Sequence, residues 1–184
     1  MIESIRKIVF VHTPRTSGTS IEQSGELLGC WRPGPPYDKF KHLKASDYKK
    51  LIESDSTFEG TWDDYFKFSI IRNPWSRVIS LYHMNYYSKI NIHSGKSLEY
   101  FLTHYKPHVY EHGIQCSDYL DEDIDYLIKF ENRSEGIKEL NERLGLHIDN
   151  DFKSQHCENN KTKKHYSEFY NNKTIEIVKN KFSE

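Results

Sequence analysis

The chain has 184 residues, enough for one domain with a substantial core and too few for two comfortable ones. Its formal net charge of -1 excludes a general nucleic-acid or membrane binder, which needs a large positive excess. Three widely spaced cysteines, Cys30, Cys116 and Cys157, contain no C-x-x-C pair, so neither a disulfide framework nor a structural zinc site is expected. These thiols, with no leader-like or membrane-spanning run, predict a cytoplasmic protein.

Three short apolar runs are typical of buried strands, at residues 7–11, 65–71 and 126–130. Each run is followed by a pattern typical of a helix. Such alternation predicts an α/β fold, a P-loop-like three-layer domain whose central parallel sheet is flanked by helices. We expect residues 1–184 to form this single domain.

The predicted helices begin and end at residues with known terminal preferences. The first runs from about Ser20 to Leu28 and stops at Gly29. A rigid Pro-rich loop occupies residues 32–38, and the second helix begins near Ser46. After the second strand, Asn73 is predicted to cap a helix that has Pro74 in its first turn. Later helix starts, and one helix end at a glycine, are predicted at Ser97, Ser134, Asn172 and Gly145.

A turn rich in hydroxyl groups follows the first strand, in the sequence VFVHTPRTSGTSIEQ of residues 9–23. The N–H groups at a helix start and the helix dipole favour an anion with several oxygens. Gly18 allows close approach of the backbone, and Arg15 supplies a full charge. Four hydroxyl side chains can donate there: Thr16, Ser17, Thr19 and Ser20. Alternatively, these residues serve only to turn the chain and cap the helix.

A second candidate turn has the sequence SIIRNPWSRVISLY, residues 69–82. Arg72 lies at the carboxyl end of the second strand, and Ser80 follows about two helical turns later. The ends of parallel strands open on one edge of a sheet, so both turns are expected to face one crevice. Arg72 offers a bidentate fork to a phosphate. Alternatively, Arg72 and Arg77 are surface or salt-bridged arginines.

These segments resemble a known family. VHTPRTSGTSIE resembles the 5′-phosphosulfate loop of sulfotransferases, P-K-T-x-G-T-S, and IIRNPWSRVISLY resembles their 3′-phosphate motif, R-x-P-x-x-R-x-x-S. YLIKFENRSEGIKELNERLGL, residues 126–146, is similar to the F-E-N-L segment of the carbohydrate-type branch. That branch includes heparan and chondroitin sulfotransferases and short bacterial relatives.

The resemblance implies an enzyme that transfers a sulfuryl group from 3′-phosphoadenosine 5′-phosphosulfate (PAPS) to a hydroxyl, with a saccharide favoured as acceptor. It implies that Arg72 and Ser80 hold the 3′-phosphate. It also implies that the 5′ end of the donor is held by the loop residues Pro14, Arg15, Thr16, Ser17, Gly18, Thr19 and Ser20. Arg15 stands where the family usually has Lys; it keeps the charge but is longer and planar, and it is expected to act in catalysis. No metal is required when arginines and backbone dipoles stabilise the charge.

His42, in KFKHLKASDY, is the candidate general base that deprotonates the acceptor hydroxyl. It follows the Pro-rich loop, and KHLKASD resembles an H-x-x-A segment of the carbohydrate-type branch. Alternatively, His42 is a surface histidine beside lysines. His12 continues a strand and is expected to pack against or orient the turn.

Two other histidine-containing segments have less specific patterns. His104, His108 and His112 are spaced by four, but Pro107 interrupts the helix, so a metal is not predicted. The run KTKKHY, residues 161–166, is either a solvated loop or a segment that closes over the donor or meets an anionic acceptor.

Two other functions stay open. One is a non-catalytic, nucleotide-binding protein with this fold, a possibility raised by Arg15. The other is a P-loop nucleotide kinase, although the loop lacks the G-K-[ST] ending that such proteins need. The predicted partners are a small-molecule donor and a hydroxyl acceptor; a lipid, a small alcohol or a peptide tyrosine are alternatives to a saccharide.

Overall fold

The computed structural model describes residues 1–23, 27, 30–31, 42–86, 94–106, 115–149 and 164–182. A four-stranded sheet of order β1-β2-β3-β4 lies at its centre. The strands are β1 Ile2–Glu3, β2 Ile8–Val11, β3 Phe66–Ile71 and β4 Tyr126–Lys129. β2, β3 and β4 run parallel, with Phe10 beside Phe68 and Phe68 beside Tyr126. The three predicted strands and their parallel arrangement are confirmed.

β1 pairs antiparallel with β2 and was not predicted from the sequence. β1 has only two residues, which is too short for a strand pattern in the sequence, so its pairing depends on the fold. The buried carboxylate of Glu3 accepts hydrogen bonds from the backbone N–H groups of Ile5 and Arg6. These bonds fix the turn that leads from β1 into β2.

Six α-helices lie within the described residues: α1 Gly18–Glu22, α2 Ala45–Ser54, α3 Pro74–Tyr86, α4 Leu98–His104, α5 Arg133–Leu144 and α6 Asn172–Phe182. Short 3-10 turns in the same part of the chain span Trp62–Asp64, Ser117–Tyr119, Phe130–Asn132 and Tyr166–Phe169. None of these helices has the length and apolar character needed to cross a bilayer.

Several predicted helix ends are confirmed by their hydrogen bonds or backbone angles. Oδ1 of Asn73 accepts from the N–H groups of Trp75 and Ser76, at 3.0 and 3.3 Å, so Asn73 caps α3. Ser97 Oγ accepts from the backbone N–H of Tyr100 and caps α4. Gly145 ends α5 with a φ of 62°, in the left-handed region that glycine tolerates.

Two predicted boundaries are wrong. α1 begins at Gly18 rather than Ser20 and ends at Glu22, because the backbone of Gln23 leaves the helical region with a φ of -103° and a ψ of 4°. The predicted end at Leu28 and Gly29, and the Pro-rich loop of residues 32–38, lie outside the described residues. α5 begins at Arg133 rather than Ser134, since the turn Phe130–Asn132 runs directly into it.

Alternate residues of β2 point into apolar clusters on opposite faces of the sheet. Ile8 and Phe10 pack in a cluster that includes residues of α1 and α5, namely Ile21, Ile137 and Leu140. Val9 and Val11 pack in a second cluster with residues of α2, namely Ala45, Tyr48 and Ile52. Helices therefore cover both faces of the sheet, as the predicted α/β fold requires. A third cluster joins α3, α4 and α6, and includes Val78, Phe101 and Val178.

Candidate active site

The two candidate turns meet at one edge of the sheet. Val11 lies beside Ser69 in the parallel register, so β2 and β3 end next to each other. An Nη1 of Arg72 donates to the backbone oxygen of Arg15 over 3.0 Å. Nε of Arg15 in turn donates to Oγ of Ser80 over 3.1 Å. Three residues predicted to hold the two ends of the donor are thus brought into direct contact.

Arg77 also joins the two turns, and sequence reasoning missed this contact. It is 1% exposed, and its Nε donates to the backbone oxygen of Pro14 over 2.8 Å. The alternative of a surface arginine is therefore wrong for Arg77. The available signal was the apolar sequence that follows it in α3, with buried Val78, Ile79 and Leu81.

The backbone of the first turn adopts unusual angles. Arg15 and Ser17 have φ values of 66° and 71°, in the left-handed region. This region costs a non-glycine residue about 1–2 kcal/mol. Such residues persist only where the surrounding structure fixes them, and they cluster at functional sites. The hydrogen bonds to the backbone oxygens of Pro14 and Arg15 supply that support from β3 and α3.

The hydroxyl groups of the first turn divide into two sets. Thr16 is buried, and its hydroxyl donates to the backbone oxygen of Thr13 over 2.7 Å. The Thr16 side chain therefore shapes the loop from inside. Ser17, Thr19 and Ser20 are partly exposed, and their side chains make no hydrogen bond to another residue that the structure describes. These three hydroxyls are the ones that can face a ligand.

Gly18 is required by a neighbouring side chain. A Cβ placed on Gly18 would lie 2.0 Å from Cδ2 and Nε2 of His12. The sequence attributed this glycine to the approach of a ligand, whereas in the structure the ring of His12 occupies the space. His12 is 2% exposed and its Nδ1 pairs with Oε1 of Glu22 in α1, so it packs against the turn and orients it.

Several contacts hold Arg72 at the end of β3. Besides its bond to the loop, its Nε donates to Oγ of Ser76 over 3.0 Å. Its guanidinium lies 4.1 Å from the ring centre of Phe130, and the guanidinium of Arg133 lies 5.0 Å from the same ring. Phe130 follows β4, so all three parallel strands contribute to this edge. A planar guanidinium stacks well on an aromatic face, which orients the fork of Arg72.

His42 lies beside the start of the first turn, the loop that follows β2. It is 7% exposed, so the alternative of a surface histidine is wrong. Its Nδ1 lies 3.0 Å from the backbone oxygen of His12, and the two rings meet edge to face with centres 4.5 Å apart. The structure therefore brings the candidate base to the strand end from which the candidate phosphate loop leaves.

The other histidine-containing segments singled out in the sequence contribute little to this site. His104 lies at the end of α4 with its Nδ1 2.9 Å from the backbone oxygen of Tyr100. His108, His112 and residues 161–163 lie outside the described residues. Within the described residues, no three His, Cys, Asp or Glu side chains are grouped as metal ligands.

The fold and the paired turns define an α/β protein with two polar turns in contact on one sheet edge. Residues 1–117 match the model of the sulfotransferase family, which is more than half of the 184 residues. The chain therefore belongs to the sulfotransferase family, and the family predicted from the two motifs is confirmed. Family membership supports a transferase enzyme. No curated protein and no solved structure gives a significant match.

Proposed function

We propose that the chain transfers a sulfuryl group from PAPS to a hydroxyl acceptor, within one sulfotransferase-like domain of residues 1–184. The contact between the two motifs carries this proposal: Arg72 bonds to the backbone of Arg15, and Arg15 bonds to Ser80. Groups suited to two separate phosphates thus lie in contact at one edge of the sheet. A nucleotide with phosphates at its 3′ and 5′ positions requires such an arrangement.

The 5′ end of the donor is proposed to lie on the loop after β2. The partly exposed hydroxyls of Ser17, Thr19 and Ser20 donate to its oxygens. Pro14, Thr16 and Gly18 act by shaping the loop, because Pro14 accepts the bond from Arg77, Thr16 bonds inward and Gly18 leaves room for a ring. Backbone N–H groups in such turns add partial positive charge.

The 3′-phosphate is proposed to lie against Arg72 and Ser80. Arg72 is oriented by Ser76 and by the ring of Phe130, so little freedom is lost when its fork receives a phosphate. Ser80 lies on the same side of α3 as Ser76, one helical turn further on, and its hydroxyl already accepts a hydrogen bond from Arg15.

Arg15 is proposed to act at the oxygen that leaves with the nucleotide. Negative charge grows there during transfer, so a cation stabilises the transition state more than the ground state. In the structure its guanidinium contacts Ser80 and, over 3.7 Å, the sulfur of Met84. The proposed role therefore requires the side chain to turn from α3 towards the loop when the 3′-phosphate takes its place at Ser80.

His42 is proposed as the general base for the acceptor hydroxyl. A saccharide is the proposed acceptor class, on the likeness of residues 126–146 to the carbohydrate-type branch. No metal takes part, since guanidinium groups and backbone dipoles supply the positive charge. A cytoplasmic location is proposed from the cysteine spacing alone.

One observation favours a second candidate, a nucleotide-binding protein without turnover. The cation of the phosphate loop, Arg15, is engaged on α3 through Ser80 and Met84 rather than directed at the loop. If that arrangement persists when nucleotide is bound, the 5′ end lacks its proposed catalytic charge.

Incubation with radiolabelled PAPS and a panel of saccharides, small alcohols, lipids and tyrosine peptides tests the proposal directly. Labelled sulfate on any of these acceptors supports it and identifies the class. Calorimetry with 3′-phosphoadenosine 5′-phosphate (PAP) and with ATP separates the alternatives. Binding of PAP without transfer to any acceptor favours the second candidate, and preference for ATP favours a kinase.

A further inference from the structure

A set of buried polar groups links α1 to the beginning of the phosphate loop. Nδ1 of His12 lies 2.5 Å from Oε1 of Glu22, and the side chain of His12 is 3% exposed. The His12 ring stacks on Phe10 with ring centres 5.5 Å apart, and the backbone of Gly18 packs against its Cδ2 and Nε2. The His12 ring is therefore held by Glu22, Phe10 and Gly18, and it meets the ring of His42 edge to face, with ring centres 4.5 Å apart.

His42 is attached to this unit through that carbonyl. Its Nδ1 lies 3.0 Å from the backbone oxygen of His12. A carbonyl oxygen only accepts hydrogen bonds, so Nδ1 of His42 must carry the hydrogen. In the neutral imidazole, the lone pair is then on Nε2. The backbone of His12 thus selects one of the two tautomers of His42.

Glu22 lies among further buried groups. Tyr48 of α2 is 0% exposed, and its pKa is raised by burial and then by the negative charge of Glu22. Only Leu43 and Lys44 separate His42 from α2, so His42 lies beside the helix that carries Tyr48. A change at Glu22 is therefore expected to alter the orientation of the His12 ring and the position of His42.

We propose that Glu22 and His12 are positioning residues for His42, a role that rests on the proposed function. Glu22 accepts from Nδ1 of His12 and fixes its ring, and the His12 carbonyl holds His42 with hydrogen on Nδ1. Nε2 of His42 then takes the proton of the acceptor hydroxyl while the acceptor oxygen bonds to sulfur. The bond from sulfur to the bridging phosphate oxygen breaks, the nucleotide leaves as the bisphosphate, and the proton stays on Nε2.

The tautomer can be read without any enzymatic assay. In the wild-type chain labelled with ¹⁵N-histidine, the signals of His42 are those missing from the spectrum of His42→Ala. At a pH where His42 is neutral, we expect a protonated Nδ1 and an unprotonated Nε2. The opposite pattern, hydrogen on Nε2, would overturn the inference whether or not the chain transfers sulfate.

The role of Glu22 is tested with three variants. Glu22→Ala removes the acceptor for His12 Nδ1, so the His42 signals should show a mixture of tautomers. kcat should fall about tenfold or more, since a wrong tautomer costs up to about 10⁴ in a catalytic triad. This fall should be larger than any rise in the KM for PAPS, which reports the packing of His12 on the loop. Glu22→Gln keeps an oxygen acceptor and should restore the tautomer and most of kcat. Glu53→Ala, a carboxylate loss on the exposed side of α2, is the matched control.

The outcomes separate this inference from the proposed function. If the wild-type tautomer is as expected and shifts in Glu22→Ala, the positioning role stands even where no acceptor is sulfated, and the proposed function alone fails. If Glu22→Ala leaves the tautomer and kcat unchanged, the positioning role is wrong. The wild-type measurement decides the tautomer even if Glu22→Ala does not fold.

Discussion

The turns after β2 and β3 present polar groups at the same sheet edge but are built in different ways. The turn after β3 has its own helix cap: Asn73 caps α3, Arg72 and Ser80 are placed by a strand end and a regular helix, and Phe130 and Glu131 after β4 contact the turn from outside. The turn after β2 has two left-handed residues and depends on Arg72 and Arg77 from its neighbour. Under the proposed function, the turn with its own helix cap binds the donor, and the loop held by its neighbour positions the reacting groups.

The largest expected effect follows from His42, which lies on the side of the first turn. His42→Ala should lower turnover by about 10²–10⁴, the usual span for loss of a general base. PAP affinity should be unchanged, because the imidazole is proposed to face the acceptor. Turnover and calorimetric affinity are measured together. His104→Ala, at an exposed histidine of α4, is the control and should change neither. A large loss of PAP affinity in His42→Ala would place this histidine in donor binding instead.

Arg15 tests whether the first turn acts on the reaction rather than on binding. Arg15→Ala should lower kcat by about 10²–10³, as removal of one charge-stabilising donor does elsewhere, and should change donor affinity much less. Arg15→Lys restores the residue usual in the family and should keep or raise activity. If Arg15→Lys abolishes a measurable activity, the assignment of this loop position is wrong.

Arg72 tests the binding role of the second turn. Arg72→Ala should weaken PAP binding by about 2–4 kcal/mol, the range for losing one partner of a largely desolvated charged pair. Adenosine 5′-phosphosulfate should be affected much less, since it lacks the 3′-phosphate. Calorimetry with both ligands makes the comparison.

A matched control for Arg72 is available away from the crevice. Arg143 of α5 also lies over an aromatic ring, 4.6 Å from the centre of Tyr126, and it is bonded to Glu139. Arg143→Ala should leave the affinity for both nucleotides unchanged. Equal losses for the two ligands in Arg72→Ala would mean that Arg72 acts through the loop backbone at Arg15 rather than on the phosphate.

The same contrast explains which parts of the site the sequence could predict. The cap at Asn73, the first-turn Pro74 and the spacing from Arg72 to Ser80 depend on bonds within a few residues, so they leave a local pattern. Parallel pairing also follows from strand–helix alternation, which placed both turns on one edge.

The remaining features depend on contacts between distant parts of the chain. Arg15 reaches Ser80 across 65 positions, and Arg77 reaches Pro14 across 63. The reason for Gly18 is the ring of His12, which becomes its neighbour only when α1 folds back on β2. Such contacts are set by tertiary packing, and a single sequence indicates at most that a side chain such as Arg77 is buried, not which residue it contacts.

The smallest expected effects are on stability, and they concern the two turns as the starts of α1 and α3. Ser17 precedes α1 with a φ of 71° and makes no capping bond with its side chain, whereas Asn73 accepts two N–H groups of α3. Asn73→Ala should therefore lower the free energy of unfolding by about 1 kcal/mol. Ser17→Gly relieves a left-handed strain of about 1–2 kcal/mol, and a more flexible unfolded chain offsets part of it at about 0.4–1 kcal/mol. A net gain of up to about 1.6 kcal/mol remains. Urea unfolding of both variants should give changes of opposite sign.

Ser97→Ala, which removes a single capping bond from α4, is the control and should lose stability as Asn73→Ala does. A loss of stability in Ser17→Gly would mean that the serine side chain itself holds the first turn, and the contrast between a side-chain-capped turn and one held by its neighbour would then fail.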